Sequence, residues 1–138
     1  TYRKLAENVM DEVGLFLPHA RGPWTDKAHL PGGDFAVDGL SELISDLLTA
    51  FPFLNAKWAM RLVKAYGKET FEMLGSVRNE EELGINFGAT LTQKEVEWLL
   101  KEEFATSAED ILWRRSKLGL RLSELQVKTL QDWIANQN

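Results

Sequence analysis

The chain has 138 residues, 44% of them hydrophobic and five of them tryptophan, and carries 16 basic against 21 acidic side chains for a net charge of −5. That length and apolar content suit one ordinary domain with a sizeable core, and the negative charge argues against general attraction to nucleic-acid phosphates or anionic lipid. With no cysteine there is no disulfide framework, thiolate nucleophile or cysteine-ligated metal, and no apolar run approaches the roughly 20 residues that cross a bilayer.

Tyr2, Leu5, Ala6, Val9, Met10, Val13, Phe16 and Leu17 recur at three- and four-residue steps, which predicts one apolar face of a first helix ended by Pro18. Lys4, Glu7, Asn8 and Asp11 fall on its other face. The chain opens on Thr1 instead of methionine with this helix already under way, the pattern expected of a piece cut from a longer protein. From His19 to Asp38 there is little periodicity and much proline and glycine, so this stretch reads as a long loop around Leu30-Pro31-Gly32-Gly33. Loops of this length are often functional, which makes it the leading candidate contact surface.

Leu40, Leu43, Ile44, Leu47, Leu48 and Phe51 form the stripe of a second helix, with Asp38 as its expected N-cap and Pro52 as its stop. Asn55 caps a third, whose buried face is Trp58, Ala59, Leu62, Val63 and Tyr66 and whose stop is Gly67. The short connection predicts that these two pack as a helical hairpin. Lys68–Leu74 suits a short helix, Asn79 before Glu80, Glu81 and Glu82 places acids in the first turn of another helix, and Gly84 and Gly88 bracket a loop. Thr92 with Glu95, Ser107 with Asp110, and Ser123 with Gln126 each read as a capping box, the first opening a helix that runs to Phe104. Val127, Leu130, Trp133 and Ile134 face inward from the last helix, and no segment shows sustained period-two alternation. The expected fold is all-α, a compact bundle of about six or seven helices with one long loop in its N-terminal half.

The chain shows no Gly-x-Gly-x-x-Gly between a strand and a helix and no Gly-rich segment ending in Gly-Lys-Ser/Thr. Gly32-Gly33 reads as a tight turn. His19 and His29 are the only imidazoles, near Asp26 and Asp34, and read as solvated loop residues more readily than as metal ligands. Glu80, Glu81 and Glu82, like Glu102 and Glu103, point about a hundred degrees apart around a helix, so they do not converge on one proton. Arg114 and Arg115, with Lys117 and Arg121, make the most basic stretch of an acidic chain. The reading favoured for the two arginines is an ion pair inside the domain or to a second domain; contact with a phosphorylated ligand is the other. A DNA-reading helix or a membrane-surface helix finds no support in a polar surface carrying Glu42 and Asp46.

The block Glu103–Leu120, with Trp113-Arg114-Arg115 near its centre and Gly119 as an expected helix stop, resembles the C-terminal region of bacterial aerobic, FAD-dependent glycerol-3-phosphate dehydrogenases. Thr1-Tyr2-Arg3-Lys4-Leu5-Ala6, Leu30-Pro31-Gly32-Gly33, Phe51-Pro52-Phe53-Leu54, Tyr66-Gly67 and Phe87-Gly88 are similar to that family's other landmarks, in the same order. The resemblance implies an intact enzyme that oxidises sn-glycerol 3-phosphate to dihydroxyacetone phosphate with FAD and passes electrons to quinone. In that enzyme this chain is the non-catalytic C-terminal accessory domain, inactive alone and binding no FAD alone. Residues 1–17 would continue from the FAD domain, with Thr1 at the margin of the flavin site, and Arg114 and Arg115 would contact another domain or a phosphate. The implied partners are the FAD and substrate domains of the same chain, in a cytoplasmic, dimeric enzyme peripheral to the inner face of the cytoplasmic membrane. The alternative expectation is an independent helical protein-interaction module with no catalytic parent.

Overall fold

The computed structural model describes residues 1–17 and 22–137; the expected stop at Pro18 and the imidazole of His19 lie outside them. The fold is all-α as expected, with six α-helices and one π-helical segment among the described residues. These are α1 (Tyr2–Val13, prolonged by a 3-10 turn at Gly14–Phe16), α2 (Leu40–Ala50), α3 (Ala56–Tyr66), α4 (Glu69–Leu74), α5 (Gln93–Glu102), the π-helix Asp110–Arg115, and α6 (Glu124–Ala135). The one sheet among the described residues is the antiparallel hairpin of β1 (Asn86–Gly88) and β2 (Leu91–Thr92).

The core is built on the α2–α3 hairpin. Asn55 Oδ1 accepts a hydrogen bond from the Trp58 amide at 3.0 Å, which satisfies an orphan donor at the start of α3. Gly67, with φ of +54°, turns the chain away after Tyr66. Between them the predicted face of Trp58, Ala59, Leu62, Val63 and Tyr66 is buried throughout, each large apolar side chain contributing roughly 1.5–3 kcal/mol. Leu43 and Leu47 of α2, Val96 and Leu99 of α5, Ile111 and Leu112 of the π-helix, and Leu130 and Ile134 of α6 complete one continuous cluster. Trp133 of α6 meets Phe87 of β1 edge to face, with ring centroids 5.8 Å apart.

The long loop is tied to this core by a backbone crossing. Leu30–Gly33 forms a turn in which the Gly33 amide donates to the Leu30 carbonyl at 2.8 Å, with Gly32 at φ of +70°. The Lys68 amide then donates to the Gly32 carbonyl at 2.9 Å. The approach is so close that a Cβ on Gly32 would lie 2.0 Å from the Tyr66 carbonyl oxygen, and one on Gly67 would lie 2.1 Å from that of Gly32. The Leu-Pro-Gly-Gly and Tyr-Gly pairs are therefore the two halves of one contact, beyond the tight turn read from adjacent glycines.

Some local expectations hold and others are corrected. The apolar face of α1 buries no residue. Gly39, not Asp38, occupies the N-cap of α2 and provides no side-chain bond. The turn after Asn79 is 3-10, with Asn79 Oδ1 accepting from the Glu82 amide at 3.1 Å. Ser107 and Asp110 bond reciprocally, and Ser123 and Gln126 form the predicted capping box. Thr92 makes no side-chain cap, and the Glu95 carboxylate that would complete the box is drawn into a long-range contact instead. The helix α5 ends at Glu102 instead of Phe104, which stands in the left-handed region at φ of +57°. The tryptophan-arginine block is π-helical and ends before Gly119. That glycine instead makes room for the Trp113 ring, since a Cβ there would lie 2.7 Å from it.

Candidate functional site

The most highly organised polar cluster joins α3, the β1–β2 turn and α5. Arg61 Nη1 and Nη2 each donate to one carboxylate oxygen of Glu95 at 2.7 Å, a two-pronged pairing that matches the planar fork of a guanidinium. Arg61 Nε donates to Thr90 Oγ1 at 2.8 Å and Nη2 also to the Thr90 carbonyl at 2.9 Å. The Tyr66 hydroxyl donates to Glu95 Oε1 at 2.7 Å. Glu95 is only 2% exposed, and these donors occupy both of its carboxylate oxygens. Ala89 and Thr90 both hold positive φ, +49° and +68°, a strained backbone that the Arg61 contacts to Thr90 fix in place.

The protonation of this cluster decides what it can do. Burial and then the neighbouring Glu95 charge push the Tyr66 phenol well above its ordinary range. Burial works against the Arg61 cation, yet the hydrogen bond and charge of Glu95 outweigh it and raise Arg61 further. Both raised groups are held against the same carboxylate, so the cluster clamps α3 to α5.

Arg114 and Arg115 lie at the end of the π-helix, both paired within the chain. Arg114 donates to Asp110 and lies 3.8 Å from Glu109; Arg115 pairs with Glu103 at 3.0 Å. The Asp110 carboxylate is held far below its usual range, first by the Thr106 amide, then by the Ser107 hydroxyl and Arg114. His29 lies 3.4 Å from Asp34, both exposed. Among the described residues no three His, Asp or Glu side chains gather as a metal site.

Thr1 is the N-cap of α1 and forms no side-chain cap. The helix and the segment 22–30 enclose a pocket of about 460 Å³ lined by Tyr2, Ala6, Met10, Trp24 and Leu30 among others. Its polar edge is Glu7, which accepts from Arg3 and Lys4 at 2.8 Å and from the Thr25 hydroxyl at 2.9 Å. The Lys4 and then Thr25 hydrogen bonds lower the Glu7 carboxyl to about 2. Glu7 thus pins the segment around Thr25 to α1.

Residues 23–135 match the family described as the C-terminal domain of alpha-glycerophosphate oxidase. Among curated proteins the chain is 38% identical over its full length to a glycerol-3-phosphate dehydrogenase of Pseudomonas aeruginosa, covering 27% of that protein. It is 33% identical, again over its full length, to D-erythritol 1-phosphate dehydrogenase of Brucella abortus, covering 28%. An aerobic glycerol-3-phosphate dehydrogenase of Escherichia coli is 31% identical over 97% of the chain and 26% of its own length. The chain thus spans about a quarter of the relatives it matches. It belongs to the family of C-terminal domains of alpha-glycerophosphate oxidase.

Proposed function

We propose that this chain is the helical accessory domain of an FAD-dependent dehydrogenase that oxidises a phosphorylated polyol, sn-glycerol 3-phosphate to dihydroxyacetone phosphate, with electrons leaving to a membrane quinone. The observation that carries this reading is the alignment of the whole chain with the same fraction of dehydrogenases whose names share a polyol-phosphate substrate. Bound flavin supplies hydride acceptance. The described residues do not fit the whole cofactor: strands of three and two residues cannot form the strand-turn-helix that cradles a dinucleotide's pyrophosphate. In this proposal the accessory domain is inactive alone. Its contribution to the redox site is the start of α1, where Thr1 lies at the flavin margin and first-turn amides favour negative charge.

The domain boundary follows from the same picture. The family match begins at Pro23, and α1, which precedes it, exposes its apolar face. In this proposal residues 1–17 continue from the FAD domain and pack against it, while the remainder forms the accessory domain. The exposed side of Arg114, with Arg115 beside it, contacts a neighbouring domain. No described helix is long and apolar enough to cross a membrane, and the intact enzyme is proposed to sit peripherally at the inner face of the cytoplasmic membrane as a dimer.

The test is a chimera in which this chain replaces the matching quarter of the Pseudomonas aeruginosa enzyme. Dye-linked oxidation should appear with sn-glycerol 3-phosphate and be absent for the chain alone mixed with FAD. Turnover by the chain alone, or a flavin-loaded chimera inert towards both glycerol and erythritol phosphates, would reject the proposal.

A further inference from the structure

α3 has a second face. Opposite its buried residues it presents Lys57, Met60, Arg61 and Lys64, and across from them the turn after the π-helix presents Lys117, Leu120 and Arg121. The two walls border an open groove of about 410 Å³, and among the described residues no carboxylate lines it. Arg61 is spent on Glu95. Lys57, Lys64, Lys117 and Arg121 have no carboxylate within 4.0 Å among the described residues, although the chain as a whole carries a net charge of −5. Lys117 holds φ of +58°, a left-handed backbone that a lysine adopts at a cost, and its ammonium donates to the Trp113 carbonyl. Leu120 beside it is 76% exposed.

We infer that this groove binds a phosphate ester, with the phosphate between Lys57, Lys64 and Arg121 and an apolar portion of the ligand against Met60 and Leu120. Four like charges around one concavity repel each other, and an anion of two negative charges relieves that repulsion. Ammonium and guanidinium groups are suited to phosphate oxygens. A concave groove with an apolar wall takes a compact amphiphile better than a flat bilayer, and the site stands whatever the parent enzyme oxidises. The ester has two sources, a free organic phosphate or the headgroup of a phospholipid.

Amide chemical-shift titration of the 138-residue chain separates them. Probes are inorganic phosphate, sn-glycerol 3-phosphate, monomeric dihexanoyl phosphatidic acid, hexaglutamate, and sodium chloride as an ionic-strength control. Saturable shifts at Lys57, Lys64, Lys117 and Arg121 are expected with the phosphate esters. Charge reversal in K64E/R121E should weaken them at least about tenfold through loss of two charge-assisted contacts, while R78E/K128E, with the same change of net charge, should alter them less than about twofold. Tighter binding of dihexanoyl phosphatidic acid than of sn-glycerol 3-phosphate supports the site and assigns it to lipid; equal or weaker binding supports it and assigns a free ester. Shifts that merely track ionic strength, stronger saturation by hexaglutamate, or equal loss in both double variants would overturn it.

Discussion

Two helices of nearly equal length carry similar apolar stripes and treat them differently. In α3 the stripe is sealed, with Trp58 5% and Leu62 1% exposed, whereas in α1 Tyr2, Leu5 and Val9 are 85%, 66% and 52% exposed. Periodicity specifies which side of a helix is apolar, but what covers that side depends on polypeptide elsewhere. For α3 the cover is α2 and the rest of the core; for α1, among the described residues, it is the short segment around Trp24 and Leu30. The structure thus holds one amphipathic helix buried in the core and another whose apolar face is exposed.

This comparison makes substitutions sharply unequal. The largest loss is expected from Arg61→Ala, which strands the buried Glu95 carboxylate and should cost roughly 3–5 kcal/mol in urea unfolding. Gly67→Ala forces a side chain into the Gly32 carbonyl at positive φ and should cost roughly 2–3 kcal/mol by the same measurement. Ser123→Ala removes a capping-box acceptor from α6, for about 1 kcal/mol. Asp110→Asn is expected to show its deficit through pH. The folded carboxyl lies below its ordinary value of 3.8, so its stabilisation is full above that value and is lost as pH falls towards the depressed one. The gap between wild type and variant should therefore be constant near neutrality and close in acid. The smallest effect is expected on the arm: Leu5→Ser with Val9→Ser should change stability by less than about 0.5 kcal/mol.

What was legible in the sequence was local. Asn55, Gly67 and the five inward residues of α3 declare themselves by spacing and capping chemistry within one helix. Glu95 fits a capping box with Thr92 equally well on paper, but two guanidinium bonds and a phenol outcompete one amide, and the Arg61 partner stands 34 residues away. The hairpin of β1 and β2 is too short for alternation to register. The basic groove was half visible. Lys117 and Arg121 stood out as cationic, yet nothing local joins them to Lys57 and Lys64, and the neighbouring Arg114 and Arg115 turn instead to acids of their own region. Gly119 looked like a helix stop because glycine usually permits one; here it yields space to an indole.

The separation between arm and core is most directly tested by deleting residues 1–22 and following urea unfolding of the remainder beside the full chain. If α1 belongs to a neighbouring domain, the two should unfold cooperatively with stabilities equal to within about 0.5 kcal/mol. A loss of several kcal/mol, or a non-cooperative transition in the shortened chain, would show that α1 is part of the core and would contradict the account.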